Sequence, residues 1–168
     1  GTMMDRNLGA TSATPGKIGT IGLMYQWGRK DPFMGASTFT SNTLALSTGT
    51  WSAASGGSVA LAEVNPTTFY TKINLPSGSW SSEKTAYDPC PTGWRIPTYS
   101  ELKDLCQNYS KWSTNETSQS GRWFSGSAPY SEDAAQVFFP AAGGRNYYYG
   151  DADNRGDDGI YWSSSPSS

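Results

Sequence analysis

The run from Asp88 to Leu102, DPCPTGWRIPTYSEL, constrains this chain more tightly than any other stretch. Three prolines, a Gly-Trp-Arg triplet and a helix start fall within its fifteen residues. Pro89 and Pro91 hold the chain extended, because each ring fixes φ and moves the preceding residue out of the α region. Trp94 and Ile96 alternate with Arg95, the period-two pattern of a short half-buried strand, and Pro97 ends it. Thr98 with Glu101 has the spacing of a capping box, which predicts one clear helix over 98–110, running through Leu102, Leu105 and Tyr109. A rigid lead-in, a buried Trp94 and an immediate helix describe a structural nucleus rather than a reaction centre.

Composition agrees with a loop-rich, β-dominated domain. The 168 residues suffice for one domain with a real core, and no linker or internal repeat divides residues 1–168. Hydrophobic content is 36%, yet aromatics reach 14%, with seven Trp and ten Tyr, so large amphipathic rings are expected to build the core. Opening and central strands are expected near residue 4 and over Gly22–Trp27. Residues 34–62 read as a hairpin excursion, and Asn65-Pro66 as a turn or helical turn through Tyr70. Trp123-Phe124 and Val137–Phe139 read as paired core strands.

Several classes are excluded or weakened. A net charge of −2 leaves no electrostatic footprint for nucleic acid. No apolar run has membrane-spanning length, and no signal peptide is visible. The chain contains no histidine, which removes Ser-His-Asp, Cys-His and His-based zinc chemistry. With only two cysteines, the usual structural zinc sites are excluded as well. Fourteen acidic residues would permit a carboxylate-pair glycosidase, but no spacing singles out a pair.

The signature run resembles that of the Fibrobacter succinogenes major paralogous domain, a module of Bacteroidetes surface proteins. Other stretches fit the same pattern in the same order: MDRNLGATS at 4–12, YQWGRKDPF at 25–33, NPTTFYT at 65–71, FFPAAGGR at 138–145 and GIYWSSS at 159–165. The resemblance implies an α+β, β-rich domain of C-type-lectin-like fold with long ordered loops. It also implies an extracellular or outer-membrane surface location, among lipoproteins of which some are fimbrial or adhesin-like. The related formylglycine-generating enzymes use closely placed reactive cysteines, which Cys90 and Cys106 do not reproduce, so no activity carries over. Spacing alone leaves a Cys90–Cys106 bridge open.

Family members continue beyond the YWSSS strand, so the closing strands are expected to be missing and the chain to be a fragment of a longer surface protein. An open sheet edge near Met3–Asn7 would then follow, able to accept a strand from a partner chain.

The candidate site is NYYYGDADNRGDDGIYW, from Asn146 to Trp162. Asp151, Asp153, Asp157 and Asp158 are hard oxygen ligands of the kind calcium takes. The loop starts like an EF-hand, with acids at its first and third positions and Gly156 at its sixth. It departs with Arg155 at the fifth position and Trp162 at the twelfth. The alternative is a solvated acidic turn with no cofactor. Strand alternation would point Tyr148 away from Tyr147 and Tyr149, leaving one face to stack on a sugar. The plainer expectation is that all three rings complete the core. The ligand-binding set is then Tyr147, Tyr149, Asp151, Asp153, Asn154, Asp157 and Trp162. Arg155-Gly156-Asp157 spells the integrin tripeptide and reads as coincidence.

Gln26 to Phe33 reads as a turn held by Arg29–Asp31 contacts, with Trp27 and Phe33 as core anchors. Arg6, Arg95 and Arg145 are expected to be buried or half-buried and to bond loop carbonyls, so that Arg95→Ala would damage folding. The function this supports is a non-enzymatic adhesion or glycan-binding module, its partner a surface glycan or a host or bacterial surface protein. A purely structural scaffold is the alternative, with a polysaccharide-active enzyme ranked below both.

Overall fold

A computed structural model describes residues 1–34, 47–50, 68–71, 79–116 and 119–166. Among them one α-helix and nine short strands make a β-rich α+β arrangement. The strands β1 (Leu23–Met24) and β2 (Phe33–Met34) pair antiparallel. The strands β3 (Ser47–Thr50) and β4 (Thr68–Thr71) pair in parallel. Helix α1 (Tyr99–Asn108) leads into a three-stranded antiparallel sheet of β5 (Ser110–Glu116), β6 (Gln119–Ser125) and β7 (Ala135–Pro140), in that order. A last hairpin joins β8 (Gly144–Arg145) to β9 (Ala152–Asp153).

Asp88 organises the signature run. Its side chain is buried, and its two oxygens face opposite ends of the same loop. Oδ1 accepts from the Cys90 amide at 2.8 Å and from Lys84 Nζ at 3.2 Å, while Oδ2 accepts from the Ile96 amide at 2.9 Å. One carboxylate therefore stands in for the strand ladder that a Pro-rich segment cannot form. The turn inside the loop runs through Gly93 at φ +84°, a conformation that L side chains rarely adopt.

Two expectations about this run are corrected. Trp94 to Ile96 form no strand, because Asp88 rather than a neighbouring strand takes up the Ile96 amide. Trp94 is only half-buried and lines a shallow depression of 360 Å³ with Arg6, Asn7 and Leu8. Among the described residues the enclosed tryptophan is instead Trp80, 1% exposed, whose indole donates to Tyr87 O at 2.8 Å and whose ring meets Trp27 at 5.7 Å.

The helix starts as expected. Glu101 N donates to Thr98 Oγ1, and Thr98 N donates back to Glu101 Oε2, closing the capping box. Arg95 is exposed and grips Glu101 through two bonds of 2.8 and 2.6 Å. It bonds one carbonyl, Ile96 O, but is not the buried structural arginine foreseen for it. Arg6 is half-buried but pairs with its neighbour Asp5 rather than a carbonyl, and Arg145 is half-buried on a loop carbonyl, Gly150 O at 2.8 Å.

The buried arginine is Arg29, 1% exposed. It donates to Gln26 Oε1 and Thr68 O at 2.8 Å each, pairs with Asp31, and lies over the rings of Phe33 and Tyr70. Gln26 completes the knot by exchanging hydrogen bonds with the Tyr70 backbone. A buried cation is tolerated only when paired and hydrogen-bonded, and this network supplies both.

The segment 161–165 pins the parts together without being a strand. Ser164 N donates to Pro97 O at 2.8 Å, and Trp27 Nε1 donates to Ser163 O at 3.0 Å. Tyr161 stacks on Phe139 and donates its hydroxyl to Pro140 O, while Asn7 Nδ2 donates to that hydroxyl. Asn7 Nδ2 also lies within reach of Thr20 O and Ile21 O. Residues 1–10 form no strand, so the open sheet edge expected at Met3–Asn7 is not found; the Asn7 side chain, rather than a strand ladder, ties this segment to Thr20, Ile21 and Tyr161.

Trp123 and Phe124 pair with Phe138 and Val137 as expected. The Gly22–Trp27 strand shrinks to Leu23–Met24, and Thr68–Tyr70 is strand rather than turn. Most of the 34–62 excursion and Asn65-Pro66 lie outside the described residues.

Replacing Asp88 with Ala strands two amides, one of them buried, and is expected to cost about 3 kcal/mol in chemical denaturation. Thr98→Ala should cost about 1 kcal/mol by removing the cap. Arg95 holds the Glu101 carboxyl down at about 2, below its ordinary 4.5. A lowered carboxyl stabilises the fold above its unfolded value and loses that contribution as pH falls through its folded value. Glu101→Gln should therefore be slightly less stable than the parent at neutral pH, with the melting-temperature gap closed near pH 2.

Candidate functional site

The β8–β9 hairpin is held at its base by pairing of Gly144 with Asp153 and Arg145 with Ala152. Gly143 precedes it at φ +69°, and a Cβ there would lie 2.3 Å from Asp153 O, so only glycine lets the strands approach. The parallel bridge from Gly143 to Gly159 and the bond from Gly143 N to Asp158 O then fold the following segment against the hairpin.

Asn146 shapes the tip. Its amide donates to Asp151 O and its carbonyl accepts from Gly150 N, both at 2.8 Å. Its side-chain Oδ1 accepts from the amides of Tyr148 and Tyr149 at 2.8 and 3.2 Å, an Asx-type turn. A turn, not a strand, therefore carries Tyr147, Tyr148 and Tyr149, and the expected alternation fails.

The rings are 49%, 59% and 71% exposed. Tyr147 meets Tyr148 edge-on with centroids 5.3 Å apart, and Tyr148 meets Tyr149 at 6.3 Å. The expectation that all three complete the core is overturned, because the Asn146 turn projects them outward. Tyr148, set aside by the alternation argument, belongs with its neighbours. The Asn-Tyr-Tyr-Tyr-Gly pattern, an Asx residue ahead of a glycine, was the signal for it.

The polar candidates lie on the return strand and the turn after it. Asp151, Asp153, Asn154, Asp157 and Asp158 are all exposed. Asp153 Oδ1 accepts from the Asn154 amide, and the amides of Asp157 and Asp158 donate to Asn154 O. These bonds are those of a self-capped acidic turn. Among the described residues no group of three or more His, Cys, Asp or Glu side chains is disposed to hold a metal ion.

Arg145 and Arg155 turn the other way. Burial lowers the pKa of both, with the neighbouring Arg155 charge adding to the effect on Arg145. Arg155 is half-buried, with its Nε and Nη2 out of contact with solvent.

Trp162 is 47% exposed but anchored elsewhere, its indole donating to Tyr25 O at 2.8 Å. The hairpin thus brings together the three tyrosines and carries Asp151 and Asp153 beside them. Trp162 reaches the surface from a different support.

Cys90 and Cys106 are free thiols. Burial, reinforced by the Asp88 carboxylate, pushes the Cys90 thiol up to about 12. Its thiolate, the nucleophilic form, is therefore scarce at neutral pH.

No family model, curated protein or solved structure matches this chain.

Cys90 should remain slow to alkylate with iodoacetamide at mildly alkaline pH, read by peptide mass spectrometry. Asp88→Asn, which removes the adjacent charge, should accelerate it.

Proposed function

We propose that this chain is a non-enzymatic adhesion or glycan-binding module of a bacterial surface or pilus-associated protein, of C-type-lectin-like fold. The Asn146-capped turn carries the proposal. Exposing three neighbouring tyrosine rings has no folding benefit, since burying each ring would stabilise the domain. Phenol rings offer an apolar face for the C–H side of a sugar and a hydroxyl for its polar edge. Asp151, Asp153, Asn154 and Asp157 add acceptors for sugar hydroxyls around the same hairpin. The family resemblance of the signature run supports the extracellular surface setting. The lack of histidine and the protonated Cys90 thiol support a binding role over a catalytic one.

The test is a glycan array on the intact chain and on Tyr147→Ala, Tyr148→Ala and Tyr149→Ala. Each ring is exposed, so each variant should keep its melting temperature, with a stability change within about 0.5 kcal/mol. Loss of array binding in at least one variant is expected. Array binding that all three variants retain removes the tyrosine turn from the function. No array binding by the parent protein points to the scaffold reading.

A further inference from the structure

The three-stranded sheet has two unlike faces. Its register sets Trp112, Arg122 and Phe139 in one row and Lys111, Trp123 and Phe138 in the next, and adjacent rows point to opposite faces. The first row is engaged within the domain. Arg122 donates to Ser110 Oγ and Cys106 O, and Phe139 stacks on Tyr161. On the second row Phe138 is buried, with Trp123 tilted against it at 5.2 Å.

Trp123 also lines a groove of 460 Å³, together with Lys111, Ser113, Tyr130 and Glu132; Trp112, although it belongs to the opposite row, borders it as well. That volume falls in the range of about 300–1,000 Å³ typical of small-ligand sites. Lys111 reaches from β5 to the turn ahead of β7 and pairs with Glu132 at 2.5 Å. The pair lies at the groove that contains the half-buried Trp123 and Tyr130 rings.

The chemistry of this lining selects its ligand. A cation is attracted by Glu132 and repelled by Lys111, and an anion meets the reverse. A wholly apolar molecule would strip water from both charges and return no hydrogen bond. A neutral sugar suits every part, since its C–H face lies on an indole while its hydroxyls donate to a carboxylate and accept from an ammonium. An exposed ion pair contributes little to stability, so its two ends are open to hydroxyl groups at small cost. We propose that this groove binds a neutral oligosaccharide, with Trp123 as the stacking platform, Lys111 as donor and Glu132 as acceptor. It shares no residue with the tyrosine turn and stands independently of it.

The indole N–H signals of the ¹⁵N-labelled intact chain provide the readout, with Trp123 identified by the signal lost in Trp123→Phe. The probes are gluco-, manno- and xylo-oligosaccharides at millimolar concentration, with acetate and lysine amide as charged controls. At least one oligosaccharide should shift the Trp123 signal saturably. Lys111→Ala and Glu132→Gln, both at exposed positions, should each weaken that binding about ten-fold without changing the melting temperature. Tyr147→Ala and Tyr149→Ala should leave it unchanged. The assignment is overturned if no oligosaccharide moves the Trp123 signal, if neither groove substitution weakens binding, or if only a charged control shifts it. Binding that is lost only in the tyrosine variants also overturns the groove while leaving the tyrosine turn standing.

Discussion

Much of this fold depends on the Asp88 carboxylate. A chain with three prolines in fifteen residues cannot satisfy its backbone by regular pairing, because proline lacks the donor and disfavours α geometry before it. Asp88 replaces that pairing with one buried side chain bonded to the amides of Cys90 and Ile96. Holding Ile96 fixes Pro97, whose carbonyl receives the Ser164 amide. Through the same segment, Trp27 is tied to Ser163 and Asn7 to Tyr161. A local carboxylate loop thereby sets where the beginning and the end of the described chain meet.

The parts legible in the sequence were those governed by local rules. Thr98 and Glu101 announce a capping box, and the helix begins there because both halves of the box lie within one turn. The Trp123–Phe124 and Val137–Phe139 strands were visible because each is a short apolar run beside turn residues. What failed needed distant partners. Trp94 alternates with Ile96 like a strand, but among the described residues no strand pairs with it. Nothing local distinguishes Trp80, which is buried, from Trp94, which is not. Arg29 looked like a turn residue, although its burial depends on the Thr68 carbonyl supplied by β4, far along the chain. The same limit applied at the site. Alternation was the wrong rule for Tyr147–Tyr149 because Asn146 caps the segment into a turn.

The domain separates frame from surface. Its dense signature serves packing, and burial with the Asp88 carboxylate raises the Cys90 thiol pKa. Among the aromatic groups that reach solvent, which include Tyr99 and Trp162, two unrelated places are proposed as sites, the tyrosine turn beyond β8 and the groove beside the half-buried Trp123. Both combine ring faces with polar side chains, as recognition of hydroxylated ligands requires. Neither proposed site contains a histidine or a cysteine.

Native-state hydrogen exchange of the backbone tests the central claim most directly. If Asp88 closes the structural nucleus, the amides of Ile96 and Ser164 should exchange only through global unfolding, with equal opening free energies and the same denaturant dependence. Fast exchange at Ile96, well below the global opening free energy while the β5–β6–β7 sheet stays protected, would show that the loop is a dispensable decoration and would contradict the account.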